Sequence, residues 1–449
     1  MGYVNMKKFN KDKYLKKLRF KKYKRYLYIG IPCILVLLLG IYFAYSKFSV
    51  SKEEEVVRTT VGEFIHGDVV IGAYIDGEYS KTIPGKNDGY IVDKVVCDTD
   101  ASASWDNDAW GIILTNLTKR TKCNVYFETK KTPLTEVITT AMNNNPSMFA
   151  TDDPDNNIRY IGKDPSNYVY FNCSDYANPT VDTCEKWRII GLFNNVTKGD
   201  GSKENLVKII RADSLGGYSW DSSASSVNAG QGVNDWTDAD AMKLLNPGYD
   251  SKSVGGSLYY NAKSGTCYYG RHNATTSCNF TSTGLKNDTT RNAIEEVVWN
   301  LGGTSTYNTS SNGLASHWYG YERGTTVYTG RPTTWIGKIG LMYLSDFGYA
   351  TSGGTTKDRA ACLAKELYNW NSYDLSDCYG NDYLYDYYQW TLAPYSADAS
   401  GVFYVNLGGY VRNDDAENSH GVHPALFLKS NIMVKFGTGE SSSPYQLSF

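Results

Sequence analysis

Histidine and cysteine are the residues that most often do chemistry in proteins, and this chain holds five of the former and nine of the latter. The histidines are spread along the sequence, at His66, His272, His317, His420 and His423. The sequence contains no HExxH, GxSxG or glycine-rich phosphate-binding motif. His420 and His423 are the one candidate pair for metal binding, but their spacing on an extended segment places the rings on opposite faces. The sequence therefore predicts no catalytic residue and no metal site.

Eight of the nine cysteines fall into four neighbouring pairs, and Cys33 lies alone inside a long apolar run. The pairs are Cys97 with Cys123, Cys173 with Cys184, Cys267 with Cys278, and Cys362 with Cys378. None has the CxxC spacing of a zinc site. An even set of cysteines in an exported chain indicates disulfides, although eight cysteines allow about a hundred pairings and the spacing leaves the connectivity open.

Aromatic residues give the strongest indication of binding. The chain has 38 tyrosines, and many of them crowd residues 368–410 together with Trp370 and Trp390. Tyrosine offers a large, rigid contact area with a polar tip, which recognition surfaces favour, while strand-rich proteins with small cores also use it as filler. The predicted ligand-binding residues are tyrosines of this region and the polar side chains beside them: Tyr387, Tyr395, Tyr404, Tyr410, Arg412, Asn413, Asp414, Asn418 and His420.

One acid-rich stretch, residues 151–157, has enough oxygen atoms for Ca²⁺. It does not fit an EF-hand loop, and the Glu-Pro-Asn signature of Ca²⁺-dependent lectins is absent from the chain. A solvated turn is the favoured interpretation, so no cofactor is expected.

A single apolar segment lies near the start of the chain, before all the candidate binding residues. Residues 26–45 carry no charge and have the length of about 20 residues that a helix needs to cross a membrane. Eleven Lys and Arg residues precede the segment, which predicts a cytoplasmic arm (1–25), a transmembrane signal anchor (26–46, the Tyr26–Tyr45 helix) and a short connector (47–60). A cleaved signal peptide is the alternative, but the run is long and no small-residue cleavage site follows. Everything after Lys47 is predicted to be extracellular.

Charge supports export and argues against one class of ligand. Eleven of the 45 basic residues but only one of the 47 acidic residues lie before Lys47, so the remainder carries a net charge of about −12. Nucleic acids and anionic lipids need a basic surface, and neither is expected to be a partner of the exported part.

The exported part divides into two predicted domains. Residues 61–131 show alternating apolar and polar runs between Gly- and Asn-rich turns, which predicts a small β-sandwich-like module with a hairpin at Trp105–Trp110. Residues 132–148 predict a short helix and linker. Residues 149–449 combine short strands, long polar loops and three helices, which predicts a strand- and loop-rich α+β domain. The predicted helices are residues 237–245, 291–301 and 359–369.

The end of the chain carries a family resemblance. The segments QWTLAP (389–394), GVFYVN (401–406) and GVHPALFL (421–428) follow the order of the last strands of bacterial C-type lectin-like domains, and KWRIIG (186–191) resembles the strand that opens them. The group includes relatives of formylglycine-generating enzymes and the variable proteins of diversity-generating retroelements. His423 stands where that pattern has Arg. The whole arrangement resembles surface proteins of uncultured gut Firmicutes.

The resemblance implies that the segment between Tyr404 and His420 is a polar loop, held at both ends by core strands, of which VHPALFL is the last. We therefore expect a membrane-anchored bacterial cell-surface binding protein, adhesin-like, which binds a glycan or a surface protein of the host or of bacteria. Two alternatives remain open. One is a structural component of the cell envelope or a pilus, without a specific ligand. The other, less favoured, is an enzyme of the formylglycine-generating type, which would need reactive cysteines.

Overall fold

The computed structural model describes residues 57–59, 69–117, 119–222 and 230–449. The predicted cytoplasmic arm, the anchor helix, most of the connector and His66 lie outside these residues. In the described part of the chain, no helix has the length and apolar character that crossing a membrane requires.

The fold belongs to the strand-rich α+β class, as the sequence predicts, since 36% of residues are in strands and 15% in helices. The chain divides into two compact units, and the division falls between Thr129 and Lys130.

The first unit consists of two small sheets. Its strands are Val57–Thr59 (β1), Val69–Ile75 (β2), Glu78–Ser80 (β3), Tyr90–Cys97 (β4), Ser102–Asp106 (β5), Gly111–Thr115 (β6) and Thr121–Thr129 (β7). One sheet has the order β3-β2-β7-β4, with β2 parallel to β7, and the other has the order β1-β6-β5.

Both sheets contribute to one core. Ile112 and Leu114 of β6 are buried together with Val125 and Phe127 of β7. The hairpin predicted around Trp105 is confirmed: β5 and β6 pair antiparallel, and the Asp106 carboxylate accepts hydrogen bonds from two backbone N–H groups in the turn. The unit is thus two sheets packed face to face, held by apolar residues at alternate positions.

The second unit contains the remaining strands. They are Thr132–Pro133 (β8), Phe149–Ala150 (β9), Ile158–Tyr160 (β10), Tyr168–Phe171 (β11), Glu185–Thr197 (β12), Lys203–Arg211 (β13), Gly217–Ser219 (β14), Ser264–Tyr268 (β15), Thr275–Asn279 (β16), Val297–Asn300 (β17), Thr334–Gly337 (β18), Ile339–Gly340 (β19), Gln389–Pro394 (β20), Gly401–Val405 (β21), Val411–Asp415 (β22), Ser419–Gly421 (β23), Ala425–Leu428 (β24), Met433–Phe436 (β25) and Tyr445–Ser448 (β26).

Two sheets organise this unit. The larger has ten strands in the order β19-β24-β13-β12-β11-β26-β25-β8, and β9 and β10 extend it beside β12. The smaller has the order β14-β23-β20-β21-β22. Two hairpins, β15-β16 and β17-β18, stand apart from both.

The central strands follow from their sequence. Strand β12 carries WRIIGLF and is buried along this run, as is typical of a strand covered on both faces. Trp187 and Trp390 are buried, as predicted. The strand ALFL (β24) pairs with β13 inside the large sheet, but the prediction that it is the last strand is wrong, since β25 and β26 follow it.

Seven short helices accompany the sheets. They are Leu134–Asn144 (α1), Asp240–Leu245 (α2), Asp288–Ala293 (α3), Ala315–Glu322 (α4), Leu344–Ala350 (α5), Arg359–Leu363 (α6) and Ser376–Tyr379 (α7) within the described residues. The first lies inside the predicted helix and linker, residues 132–148.

All three predicted helices are shorter than expected, and the one predicted over 237–245 begins only at Asp240. The helix predicted over 291–301 ends at Ala293, and residues 297–300 form a strand instead. β-Branched Val297 and Val298 find a partner strand in β18, and this tertiary pairing outweighs the helical pattern. The helix predicted over 359–369 ends at Leu363, and Leu367–Asn369 form a 3-10 turn.

A charged network is buried inside the second unit. The Asp346 carboxylate on α5 accepts from Lys208 Nζ at 2.5 Å and from Arg159 Nη1 at 2.9 Å. Arg159 Nε in turn donates to Asp153 Oδ2 at 2.5 Å. All four side chains are at most 2% exposed. The network links β10, β13 and α5 at a place where unpaired charges would be strongly unfavourable.

Candidate ligand-binding surface

The segment expected to be a polar loop, residues 404–420, is mainly strand. Strands β21 and β22 form an antiparallel hairpin in which Tyr404 lies opposite Arg412, and β23 follows after a short turn. Phe403, Val405 and Val411 are fully buried, and these apolar residues at alternate positions fix the hairpin to the core. The loop prediction is therefore wrong. The polar residues in between are held on strands and tight turns.

Four of the predicted residues lie together around one imidazole. The ring of His420 stacks on that of Tyr404, with centroids 4.2 Å apart, and makes a T-shaped contact with the ring of Trp390, with centroids 4.3 Å apart. His420 Nε2 lies 3.0 Å from Asp414 Oδ2, and the other Asp414 oxygen accepts from Asn418 Nδ2 at 2.6 Å. Strand pairing brings these side chains together from β21, β22 and β23.

Two further residues complete this surface. The ring of Tyr388 lies parallel to those of His420 and Tyr404, at centroid distances of 5.9 and 6.4 Å, and is 41% exposed. Arg271 lies on the exposed turn between β15 and β16, and its Nε donates to Asn418 Oδ1. We call this set the Tyr388–His420 surface; its members are Arg271, Tyr388, Tyr404, Asp414, Asn418 and His420.

The electrostatics keep a negative charge on this surface. Partial burial by itself would raise the pKa of Asp414, but hydrogen bonding and the charge of His420 outweigh it and lower the pKa. Burial raises the pKa of Tyr404, whose hydroxyl also accepts from Asn406 Nδ2. Tyr404 and His420 are each only 9% exposed, so at neutral pH this surface presents to a ligand the ring of Tyr388, the ionised carboxylate of Asp414 and the guanidinium of Arg271.

The remaining predicted residues lie elsewhere on the hairpin. Arg412 is stacked between the rings of Tyr368 and Tyr410, at 3.3 and 4.3 Å from their centroids. Arg412 also lies directly opposite Tyr404 in the β21–β22 pair, on the same face of the sheet, so this cluster adjoins the Tyr404 side of the Tyr388–His420 surface.

Asn413 follows on the strand and accepts a hydrogen bond from the Tyr307 hydroxyl at 2.8 Å. Tyr395 lies near the same Tyr307 ring and packs against Phe403. Tyr387 is 63% exposed and contacts Tyr385. The nine predicted residues therefore fall into separate groups, and one surface does not include them all.

Two members of the surface did not come from the sequence. Tyr388 belongs to the tyrosine-rich stretch, but nothing in the local sequence distinguishes it from Tyr387, whose ring contacts Tyr385 instead. Arg271 is 147 residues away from Asn418 in sequence. Only the pairing of β14 with β23 places the β15–β16 hairpin beside this sheet.

The two other sequence candidates for metal binding have structural roles. His423 is buried; its Nδ1 lies 3.2 Å from the Arg211 carbonyl oxygen and its Nε2 lies 3.1 Å from Asp386 Oδ2. In the acid-rich stretch 151–157, Asp153 belongs to the buried ion network, so this stretch is not simply a solvated turn. Among the described residues, no group of three or more His, Cys, Asp or Glu side chains is arranged to hold a metal ion.

The four predicted disulfides are present in the structure. Cys97 is bonded to Cys123, Cys173 to Cys184, Cys267 to Cys278, and Cys362 to Cys378. The first bond joins residues that face each other directly on β4 and β7. None of the eight cysteines of the described residues is therefore available as a thiol.

In comparisons with known proteins, no family model, no curated protein and no solved structure matches the chain.

Proposed function

We propose that this chain is a membrane-anchored bacterial cell-surface binding protein, adhesin-like, whose C-terminal domain is C-type lectin-like and binds a glycan or a protein ligand. The observation that carries the proposal is the Tyr388–His420 surface. The exposed ring of Tyr388 offers flat apolar contact and is backed by the parallel, buried rings of Tyr404 and His420. Beside it, Asp414, Asn418 and Arg271 supply hydrogen-bond acceptors and donors.

The lectin-like part of the proposal is supported by where the resembling segments lie. KWRIIG is part of β12, QWTLAP forms β20, GVFYV forms β21 and ALFL forms β24. These strands belong to the two sheets of the second unit and are buried almost throughout. Segments that build the core are those that a shared fold would preserve.

The binding surface is rigid, which favours recognition. Tyr404, Asp414 and His420 are positioned by strand pairing, and their hydrogen bonds fix the ring and carboxylate orientations before a ligand arrives. Preorganised groups lose less conformational entropy on binding, so even a small surface can bind with useful affinity.

The test is a binding assay on the full-length chain and on variants of this surface. Tyr388→Ala and Asn418→Ala in combination should weaken binding to a glycan array or to mucin and whole cells by at least tenfold, since a stacking ring and a rim amide are removed. Tyr373→Ala is the matched control, because Tyr373 lies in the same tyrosine-rich region and is 97% exposed.

The outcomes of this assay distinguish a glycan ligand, a protein ligand and a structural role. Saturable glycan binding that the double variant loses supports a lectin function, and capture of cells or mucin protein without glycan binding favours a protein ligand. Binding by the double variant at the strength of the unmodified chain would show that this surface is not the site. Absence of any capture, with ordered self-assembly of the chain, would favour the structural alternative.

A further inference from the structure

A cavity of about 260 Å³ lies in the same unit and shares no residue with the Tyr388–His420 surface. Its walls come from the end of β12, from β17, from α4 with the residue after it, and from the turn before β10. We call it the Asn300 pocket; its polar members include Asp155, Asn157, Asn194, Asn195, Thr197, Asn300, Tyr319 and Arg323.

A bulge in β12 shapes one wall. The pairing of β12 with β13 shifts register between Phe193 and Val196, and Asn195 at the bulge has a positive φ of 51°. Asparagine tolerates this left-handed conformation better than most residues. Bulges redirect side chains, and this one brings both Asn194 and Asn195 to the pocket wall, where regular alternation would place them on opposite faces.

The opposite wall is held rigid. The Tyr319 hydroxyl donates to Asp155 Oδ2 at 2.5 Å and accepts from Asn157 Nδ2 at 3.2 Å. The guanidinium of Arg323 lies 3.4 Å from the centroid of the Tyr319 ring, and its Nη1 donates to the Tyr319 carbonyl oxygen. The same nitrogen lies 3.3 Å from Glu322 Oε2. A stacked and doubly bonded guanidinium is oriented before a ligand arrives.

Several polar groups in the pocket lack a protein partner. Within the described residues, the side chains of Asn195, Thr197 and Asn300 make no hydrogen bond, although the backbone N–H of Asn300 donates to the Tyr343 hydroxyl. By contrast, Asn157 uses both ends of its side chain in local structure, and Asn194 donates its Nδ2 to backbone carbonyl oxygens. Asn195 is exposed and Thr197 and Asn300 are half-buried, so the pocket combines fixed groups that shape it with donors and acceptors that are open to a ligand.

The chemistry of the lining selects the ligand class. One carboxylate and one guanidinium cancel in charge, while amides and hydroxyls supply both donors and acceptors. Phe193, Tyr343 and Phe427 provide ring surface at the floor. The volume lies just below the range of about 300–1,000 Å³ that is usual for drug-sized ligands, so the occupant is a single small ring. We propose that the Asn300 pocket binds one neutral sugar residue through its hydroxyl groups.

This site is independent of the surface described above, and the test separates the two. The full-length chain is titrated with methyl glycosides of glucose, galactose and mannose and with N-acetylglucosamine, using ligand-observed NMR. Asn300→Ala and Thr197→Val each remove one polar group that has no protein partner, so both variants should fold. Each should weaken the binding of at least one of these sugars by about 5- to 10-fold. Asn308→Ala, an exposed asparagine outside the pocket, and Tyr388→Ala should leave that binding unchanged.

Three results would overturn the proposal. One is the absence of saturable binding by all four sugars up to their solubility. Another is binding that Tyr388→Ala abolishes and both pocket variants retain, which would assign the sugar to the other surface. The third is a preference for glucuronate over every neutral sugar, which would show that an anion is the true ligand of Arg323.

Discussion

Two buried carboxyl groups, Glu322 and Asp346, behave in opposite ways because their neighbours differ. Burial raises the pKa of Glu322 to about 7, and the nearby charge of Arg323 and the hydrogen bonds from Ser345 only partly offset it. Burial would raise the pKa of Asp346 as well, but the charges of Lys208 and Arg159 outweigh it and lower the pKa to about 2. At neutral pH one group is close to half protonated and the other is fully ionised.

Glu322 gives the chain a pH-dependent stability. Glu322 holds its proton more tightly in the folded state than in the unfolded state. Its contribution to the free energy of unfolding is therefore fully present below the ordinary glutamate pKa of 4.5, and it is lost as the pH rises through about 7. We expect the free energy of unfolding to fall over this range by on the order of 3 kcal/mol through this group. Denaturant titrations between pH 4.5 and 8 measure it.

The variant Glu322→Gln isolates this effect, because it keeps the shape of the side chain and does not titrate. Its stability should fall less steeply with pH than that of the unmodified chain. Asp382, whose pKa burial also raises, keeps some slope of the same sign. Exposed Glu440→Gln is the control and should change nothing. Parallel pH profiles for the unmodified chain and Glu322→Gln would contradict the prediction.

At the scale of elements, the buried ion network joins one helix to two strands. Asp346 on α5 receives charges from Lys208 on β13 and Arg159 on β10, so one helix and two strands meet at a single carboxylate. The hydrophobic pattern of the sequence does not predict this contact, because each of the three segments has the pattern of an ordinary amphipathic or buried element.

Asp346→Asn should lower the free energy of unfolding of the second unit by about 3–5 kcal/mol, because it leaves Lys208 buried without its carboxylate partner and Arg159 paired with Asp153 alone. The measurement is urea unfolding followed by tryptophan fluorescence. Asp164→Asn is the matched control: Asp164 pairs with Arg188 at 3.2 Å but is 62% exposed, so its loss should cost at most about 1 kcal/mol. Equal losses in the free energy of unfolding for the two substitutions would show that burial of the network does not increase its contribution to stability.

At the scale of the whole molecule, the disulfides divide between the two units. One lies in the first unit and three lie in the second. The first unit has a small core, and the Cys97–Cys123 bond closes a separation of 26 residues, so it constrains the unfolded state considerably.

Replacing both Cys97 and Cys123 with Ser should destabilise the first unit by roughly 3 kcal/mol. Hydrogen exchange of amides in β4 and β7 should accelerate on the order of 100-fold, while amides in β12 and β13 of the second unit should not change. Equal acceleration in both units would contradict the assignment of this bond to the first unit. Unchanged exchange in β4 and β7 would show that the bond adds no stability.

Local sequence was sufficient for elements whose signals are local. Four kinds of feature were predicted correctly: the Trp105–Trp110 hairpin, the short helix after Pro133, the buried Trp187 and Trp390, and the four cysteine pairs. Each depends on turn residues, apolar alternation or a short separation, and these are properties of residues close together in the sequence. The helix predicted over 291–301 failed for the complementary reason. Its second half pairs with β18, which lies more than 30 residues further along the chain.

The sequence by itself determined the strand-rich class and the Trp105–Trp110 hairpin, because these depend on composition and short-range pattern, while it left the connectivity of the eight paired cysteines open. Only the tertiary structure decided which polar residues share a surface. Strand alternation separates Asn413 from Asp414, while sheet pairing brings Arg271, Tyr388 and His420 together and places Asn300 opposite Tyr319. Such neighbourhoods arise from contacts between distant segments, and the order of residues along one chain does not specify them.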